Sequence, residues 1–298
     1  MNAPQRPPGP PYKWVGGKRR LLPQLLARIP ADFGTYYEPF FGAGTLFWAL
    51  SAQGRITSAV LADGSPVVAR AMQGLRECYG GVVGALQVWA WRAQTDPEGT
   101  LRTCQEILAH PMSHLAYEVC AALLAHQSLA FNGLWRVNAQ GRPNVPLGRN
   151  ARGEPNQVRL NLYLLEACHE ALQLAQVHHH VAFDPDLLRP TWALPEPEPG
   201  DLVYLDPPYL PLSNTADFTG YTVGGFGLSE TVELARWAAD CRDRGVHVLV
   251  SNSYCPAVLE TFTRDGGSWV WAMDLLSRAG TVSCAGGDRG SVREVLLW

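Results

Sequence analysis

The chain lacks four things that would each have assigned it to a class. There is no Cys-x-x-Cys pair, and the seven cysteines (78, 104, 120, 168, 241, 255 and 284) are an odd number. That excludes a disulfide framework and a zinc knuckle, and fits a reducing cytoplasm. No run of about 18 apolar residues exists, so no membrane span is expected. Met1 to Pro11 is proline-rich without the apolar core of a signal peptide. Charge of one sign is also missing in bulk: the formal net charge is −3 over 298 residues. With 47% hydrophobic and 17% charged residues, a sizeable core is expected and global disorder is excluded. The length suits one large domain, or a domain carrying an insertion.

The near-neutral total hides two basic segments. Residues 1–30 contain Arg6, Lys13, Lys18, Arg19, Arg20 and Arg28 and no acid. Residues 132–160 contain Arg136, Arg142, Arg149, Arg152 and Arg159 against Glu154 alone. They form one positive face if the fold brings them together, and two unrelated solvated stretches if it does not.

Apolar spacing at Leu21, Leu22, Leu25, Leu26 and Ile29 predicts a helix from Lys18 to Ile29, stopped by Pro30. Tyr36-Tyr37-Glu38 reads as a short strand, Thr45 to Ala52 as a helix, and Ser58 to Ala62 as a strand ending at Asp63. Helical patterns fill about 65–130, with breaks around Gly80-Gly81 and Asp96-Pro97. Residues 132–156, rich in Gly, Pro, Asn and Arg, read as a hairpin or long loop. A helix over Val158 to Gln176 and a strand over Val181 to Phe183 follow. Leu202-Val203-Tyr204-Leu205 is uniformly apolar, as a strand buried on both faces should be. A helix at 229–243 and strands at 246–251, 269–275 and 292–298 complete a doubly wound α/β pattern.

Three motifs carry chemistry. In Glu38-Pro39-Phe40-Phe41-Gly42-Ala43-Gly44 a strand ends in a Gly-x-Gly turn that lets backbone approach a nucleotide-like ligand. Asp63 ends the next strand, where a carboxylate reaches ribose hydroxyls; without a third glycine, adenosine lacking a pyrophosphate fits better than a dinucleotide. Asp206-Pro207-Pro208-Tyr209 follows the buried strand. Its bland reading is a stiff turn with a capping aspartate. Its chemical reading is a nucleobase clamp, in which the Asp206 carboxylate and a neighbouring carbonyl accept from one amino group and Tyr209 stacks on the ring. In Lys13-Trp14-Val15-Gly16-Gly17-Lys18 the bland reading is a basic loop, the other an anion contact by Lys18 near a helix N-terminus.

These motifs, in this order, resemble the DNA adenine methyltransferase (Dam) family. The similarity continues through Phe131-Asn132-Gly133-Leu134-Trp135-Arg136-Val137-Asn138, Asn144-Val145-Pro146-Leu147-Gly148-Arg149, Pro211-Leu212-Ser213, Phe218-Thr219-Gly220-Tyr221 and Ser251-Asn252. The resemblance implies an α/β, Rossmann-like methyltransferase fold. Residues 1–70 and 176–298 would form the catalytic domain, and 71–175 a mainly helical target-recognition insertion. It implies S-adenosylmethionine as cofactor, no metal, and transfer of a methyl group to adenine N6 in double-stranded DNA. Trp14, Lys18, Phe40, Gly42, Gly44, Asp63 and Asp184 would bind the cofactor. Asp206, Pro207, Pro208 and Tyr209 would be catalytic, receiving an adenine flipped from the duplex. Lys13, Phe131, Asn132, Leu134, Arg136, Asn138, Pro146 and Arg149 would bind DNA, with Arg136 on a guanine edge and Leu134 and Pro146 on a thymine methyl. That set implies a GATC target.

Gly64-Ser65 stands where the family usually places an asparagine, and Trp135 and Val137 also depart from its commoner residues. The expected partners are duplex DNA and a cognate restriction endonuclease, the expected state a cytoplasmic monomer. An N4-cytosine methyltransferase and a non-catalytic DNA-binding homologue are the alternatives. His178-His179-His180, alternating on a strand, is not expected to hold a metal. Trp269 and Trp271 should pack on one sheet face, and Asn252 is placed to buttress the catalytic loop.

Overall fold

The computed structural model describes residues 8–179, 194–209, 226–263, 271–279 and 291–298. In chain order the first elements are α1 (Leu22–Leu26), β1 (Tyr36–Glu38), α2 (Thr45–Ala52), β2 (Ala59–Asp63), α3 (Pro66–Glu77) and α4 (Tyr79–Thr95). Then come α5 (Pro97–Ala109), α6 (Ala116–Leu129), α7 (Leu162–Leu172), β3 (Ala175–His179) and β4 (Leu202–Leu205). Last are α8 (Leu228–Asp243), β5 (His247–Ser253), α9 (Pro256–Thr263), β6 (Met273–Ala279) and β7 (Ser291–Leu297). This is a mixed α/β protein. Its chain divides into two compact units, one of residues 1–19 and 41–180, the other of 20–40 and 181–298.

In the first unit β2 and β3 pair in parallel, from Ala59 opposite Ala175 to Asp63 opposite His179. Helix α3 is fastened to β3 by Arg76 Nε on the Ala175 carbonyl (2.7 Å) and Gln73 Nε2 on that of Val177 (3.3 Å). Helix α6 is buried on nearly every face, as a helix without a solvent side must be apolar all round. Gly74 lets α3 close onto it, because a Cβ there would strike the Ala116 carbonyl. The predicted break at Asp96-Pro97 is present: the Asp96 carboxylate accepts the Gly99 N–H (2.8 Å), capping α5 ahead of Pro97. The break predicted around Gly80-Gly81 is present at Cys78; both glycines lie in the first turn of α4, where backbone N–H groups already lack helical partners.

In the second unit the strands run in the order β1-β4-β5-β7-β6, the first three parallel and the last two antiparallel. All four residues of β4 are buried. Asp201 accepts from the Thr35 N–H (2.7 Å) and the Glu198 N–H (2.9 Å), and so sets where β4 begins. The register pairs Leu205 with Val250 and Ser253 with Glu294. Asp206, the end of β5 and Glu294 therefore gather at the carboxyl end of the parallel strands, the edge where α/β sheets bind ligands.

Two other predicted elements are corrected. The helix expected over Lys18 to Ile29 is only α1, because Pro23 is tolerated solely in a first turn and Pro30 draws Ile29 out of helical geometry. The helix expected over Val158 to Gln176 starts at Leu162, where Asn161 caps the Leu164 N–H (3.4 Å), and Ala175 and Gln176 belong to β3. Val181 to Phe183 lies outside the described residues, as does Trp269. Trp271 precedes β6 and is buried edge-on against Phe262 (5.8 Å), with the Arg242 guanidinium over its ring. No helix among the described residues is long and apolar enough to cross a membrane.

Candidate functional site

The second unit holds the Asp206-Pro207-Pro208-Tyr209 loop. Asp206 is half-buried, and Ser251 Oγ donates to its Oδ1 at 2.7 Å. Since the single serine proton is spent there, the Tyr204 hydroxyl must be the donor in its 2.9 Å contact with Ser251 Oγ. Tyr209 donates to Glu294 Oε2 at 3.0 Å, and Tyr36 donates to Glu38 Oε2 at 2.9 Å. Burial, with the negative charges of Asp206 and Glu294, pushes the Tyr209 hydroxyl well above the ordinary tyrosine range. Burial and the Asp206 charge do the same to Tyr204. Burial and the Glu38 charge raise Tyr36. The three phenols therefore stay protonated as hydrogen-bond donors, and two prolines stiffen the backbone between the carboxylate and Tyr209.

The first unit holds the glycine turn. Gly42 (φ +49°) and Gly44 (φ +65°) are left-handed. A Cβ on Gly42 would lie 3.2 Å from Trp14 Cδ1, and one on Gly44 would enter the Phe41 ring. Asp63 Oδ2 accepts the Gly42 N–H and Oδ1 the Ser65 N–H, both at 2.7 Å. Burial raises the Asp63 carboxyl to about 6 against the lowering effect of those two bonds. The Ser65 contact is made by its backbone N–H, which an asparagine at that position would supply equally, so the departure at Gly64-Ser65 leaves this bond intact. Tyr12 donates to the Gly42 carbonyl (3.0 Å). Lys18 is buried, with its ammonium on the Gly16 carbonyl (2.9 Å). Phe40 belongs to the second unit, where its ring meets Phe226 edge-on. Asp184 lies outside the described residues. A backbone-lined turn closed to side chains, beside a buried carboxylate, fits a nucleoside.

The basic loop of the same unit doubles back on itself as a hairpin ribbon held by isolated bridges rather than by regular strands. Asn144 N–H bonds the Arg136 carbonyl (3.1 Å) and Phe131 N–H the Pro146 carbonyl (2.9 Å), with bridges at Val137–Pro143 and Ala130–Leu147. Burial alternates: Gly133, Trp135, Pro143 and Val145 face in, while Leu134, Arg136, Asn144 and Pro146 face out. Phe131 and Leu134 are about half exposed (51% and 48%), and Asn132 is left-handed at φ 53°. Arg136 donates through Nε to Asn144 Oδ1 (2.8 Å), which orients its guanidinium. Arg149 donates to the Gly153 carbonyl (2.8 Å), and Asn138 Oδ1 accepts from the Gln140 and Arg142 N–H groups (both 3.0 Å) to close the ribbon's turn. Lys13 Nζ reaches the Asn132 carbonyl at 2.9 Å. Of the other basic segment, Arg28 is spent on Asp274 (2.6 Å) and the face of Trp298 in the second unit.

The D12 class N6 adenine-specific DNA methyltransferase family matches residues 14–269. The chain belongs to that family. It is an adenine-specific DNA methyltransferase with a Rossmann-like fold. It is 28% identical to a type II methyltransferase, M1.LlaDCHI, of Lactococcus lactis subsp. cremoris, over 96% of this chain and 93% of the relative. It is 28% identical to the DNA adenine methylase of Escherichia coli K12, over 95% of this chain and 92% of the relative. A DNA adenine methylase of Salmonella typhi is 26% identical over 95% and 92%.

Several residues of this methyltransferase's sites escaped sequence reasoning. Ser251, rather than Asn252, supports Asp206; Asn252 Oδ1 turns instead to the Ser253 N–H (2.7 Å). The detectable signal was a polar triplet ending an apolar strand, but not which member faces the loop. Glu294, Tyr204 and Gln127 carried no local signal.

Proposed function

We propose that this methyltransferase moves a methyl group from S-adenosylmethionine to the N6 amino group of adenine in duplex GATC, with the adenine flipped out of the helix. The observation that supports this best is the Ser251-anchored Asp206 carboxylate at the end of buried β4, next to a backbone stiffened by Pro207 and Pro208. An adenine amino nitrogen is a poor nucleophile because its lone pair is delocalised into the ring. Acceptance of its two hydrogens by Asp206 and the Pro207 carbonyl favours the pyramidal nitrogen on which positive charge grows, an electrostatic stabilisation of the transition state. Tyr209 offers its ring face to the base while Glu294 holds its hydroxyl. The proton shed by N6 is held at Asp206.

Gly42, Gly44, Asp63, Trp14 and Lys18 would hold the cofactor. When bound it supplies an electrophilic sulfonium methyl and leaves as S-adenosylhomocysteine. Asp63 would take the ribose through lone pairs its two backbone bonds leave over. On the ribbon, Arg136 suits a guanine edge and Leu134 and Pro146 a thymine methyl; Phe131 and Asn132 would fill the gap left by the flipped base. Lys13 would reach a base edge and Arg149 and Asn138 the backbone, in a recognition insertion spanning residues 71–175. The relative named as a type II methyltransferase supports a cognate restriction endonuclease as functional partner.

Tritium transfer to duplexes with and without GATC, followed by nucleoside analysis, tests the reading. Label in N6-methyladenine from the GATC duplex alone is expected. Label in N4-methylcytosine would overturn the base assignment, and label indifferent to GATC the sequence assignment.

A further inference from the structure

The segment Tyr12-Lys13-Trp14 touches two parts of the first unit that the proposed reaction uses for different ligands. On one side, Tyr12 donates to the Gly42 carbonyl (3.0 Å), and Trp14 lies so close to Gly42 that a Cβ there would be 3.2 Å from its Cδ1. On the other side, the Trp14 ring stacks on Trp135 of the ribbon, with centroids 5.3 Å apart and planes 25° from parallel. Lys13 Nζ meets the Asn132 carbonyl (2.9 Å). What holds the segment is Gln127 of α6. Its Oε1 accepts the Lys13 N–H and its Nε2 donates to the Lys13 carbonyl, both at 2.6 Å. A carboxamide that pairs with both halves of one residue's backbone does what a neighbouring strand would do, and it leaves the Lys13 ammonium for the ribbon.

We propose that Gln127 and Trp135 are positioning residues that tie occupancy of the donor turn to the arrangement of the base-reading ribbon, so that methyl donor and duplex DNA each strengthen the other's binding. Trp135 is the better placed of the two. It is buried, backed edge-on by His126 (5.6 Å), and its outer neighbours Leu134 and Arg136 are the residues read as facing DNA. A ligand that settles Trp14 against Gly42 therefore also settles the plane on which Trp135 stacks, and with it the register of Leu134 and Arg136. The same contacts work in reverse, because coupling between two binding events is reciprocal. The inference rests on the reading of the glycine turn as the donor site and of the ribbon as the DNA site.

The test is calorimetric titration of the full chain with S-adenosylhomocysteine, a product that cannot react, with and without a saturating GATC duplex. The parent should bind it about tenfold more tightly with the duplex present, within the usual range for coupled sites. In Trp135→Leu and in Gln127→Met the ratio should fall to within about twofold, while Trp135→Phe, which keeps a stacking ring, should retain most of it. A merely structural role would lower melting temperature and leave the ratio alone. Folded Gln127→Met or Trp135→Leu protein with the parent's ratio would overturn the inference, as would a parent ratio near one with both ligands bound. Failure of S-adenosylhomocysteine to bind the parent at all would instead overturn the reading of the glycine turn, and this inference with it.

Discussion

Ser251 Oγ donates a 2.7 Å hydrogen bond to Asp206 Oδ1, joining β5, the third parallel strand of the second unit, to the loop that leaves its neighbour β4. The serine is fully buried and takes the Tyr204 proton on its other side, so its hydroxyl has one orientation to offer. A hydrogen bond to a charged group is worth about 1.5–3 kcal/mol. Ser251→Ala should therefore slow single-turnover methyl transfer on the order of 10–100-fold, with Ser251→Thr recovering most of the rate. Asp206→Ala should abolish transfer and leave S-adenosylhomocysteine affinity in calorimetry nearly unchanged. Full activity in Asp206→Ala would remove the carboxylate from the chemistry, and full activity in Ser251→Ala would remove the serine as its anchor.

The Asp63 carboxyl, raised to about 6 by burial, predicts a pH dependence with a definite sign. The folded protein holds that proton more tightly than the unfolded chain. The resulting stabilisation is fully present below about pH 4, the ordinary aspartate range, and is lost as pH rises through about 6. Urea melts of the free protein at pH 4.5 and 7.5 should show Asp63→Asn removing a decline on the order of 2 kcal/mol. Donor affinity should move the opposite way in the parent, weakening below pH 6 as the ribose acceptor is protonated. A parent and variant with parallel stability profiles would contradict the assignment.

Arg136 and Arg149 both stand exposed on the basic loop but should differ in kind. Arg136, oriented by Asn144, should read a base: Arg136→Ala is expected to cost about 1–3 kcal/mol at GATC and to relax discrimination at one guanine. Arg149→Ala should weaken binding to all duplexes alike and flatten the dependence on salt. Competition binding across single-substitution duplexes at two salt concentrations separates the two outcomes.

Gly44 is left-handed, and a Cβ there would enter the Phe41 ring. Gly44→Ala should lower stability by about 1–3 kcal/mol, from strain at φ +65° and displacement of that ring. It should also reduce S-adenosylhomocysteine affinity. Scanning calorimetry and isothermal titration read the two effects; an unchanged melting temperature would mean the turn relaxes without cost.

The parts of this methyltransferase that local chemistry controls were legible as letters. Thr45–Ala52 and Leu202–Leu205 occur at the bounds their patterns predict, because a glycine turn starts the one and an unbroken apolar run defines the other. The left-handed glycines follow from the one residue type that enters that region without strain, and the Asp-Pro-Pro-Tyr loop from prolines that fix the backbone. Elements bounded by competing signals were less legible: α1 is cut short by Pro23 and Pro30, and Ala175–Gln176 left a helical pattern because pairing with Ala59 and Val60 in β2 outweighed it.

Sequence by itself determined the family, the fold class and the chemistry-bearing motifs, since each is written in a short run whose backbone preferences are intrinsic. Tertiary structure alone decided which polar groups far apart in the chain meet. Ser251 and Asp206 are 45 positions apart, Tyr209 and Glu294 85, and Gln127 and Lys13 114. Such pairs leave no periodic trace, because a buried hydrogen bond is selected by where strands and helices pack and by the cost of leaving a donor unpaired, not by anything its neighbours in the chain prefer.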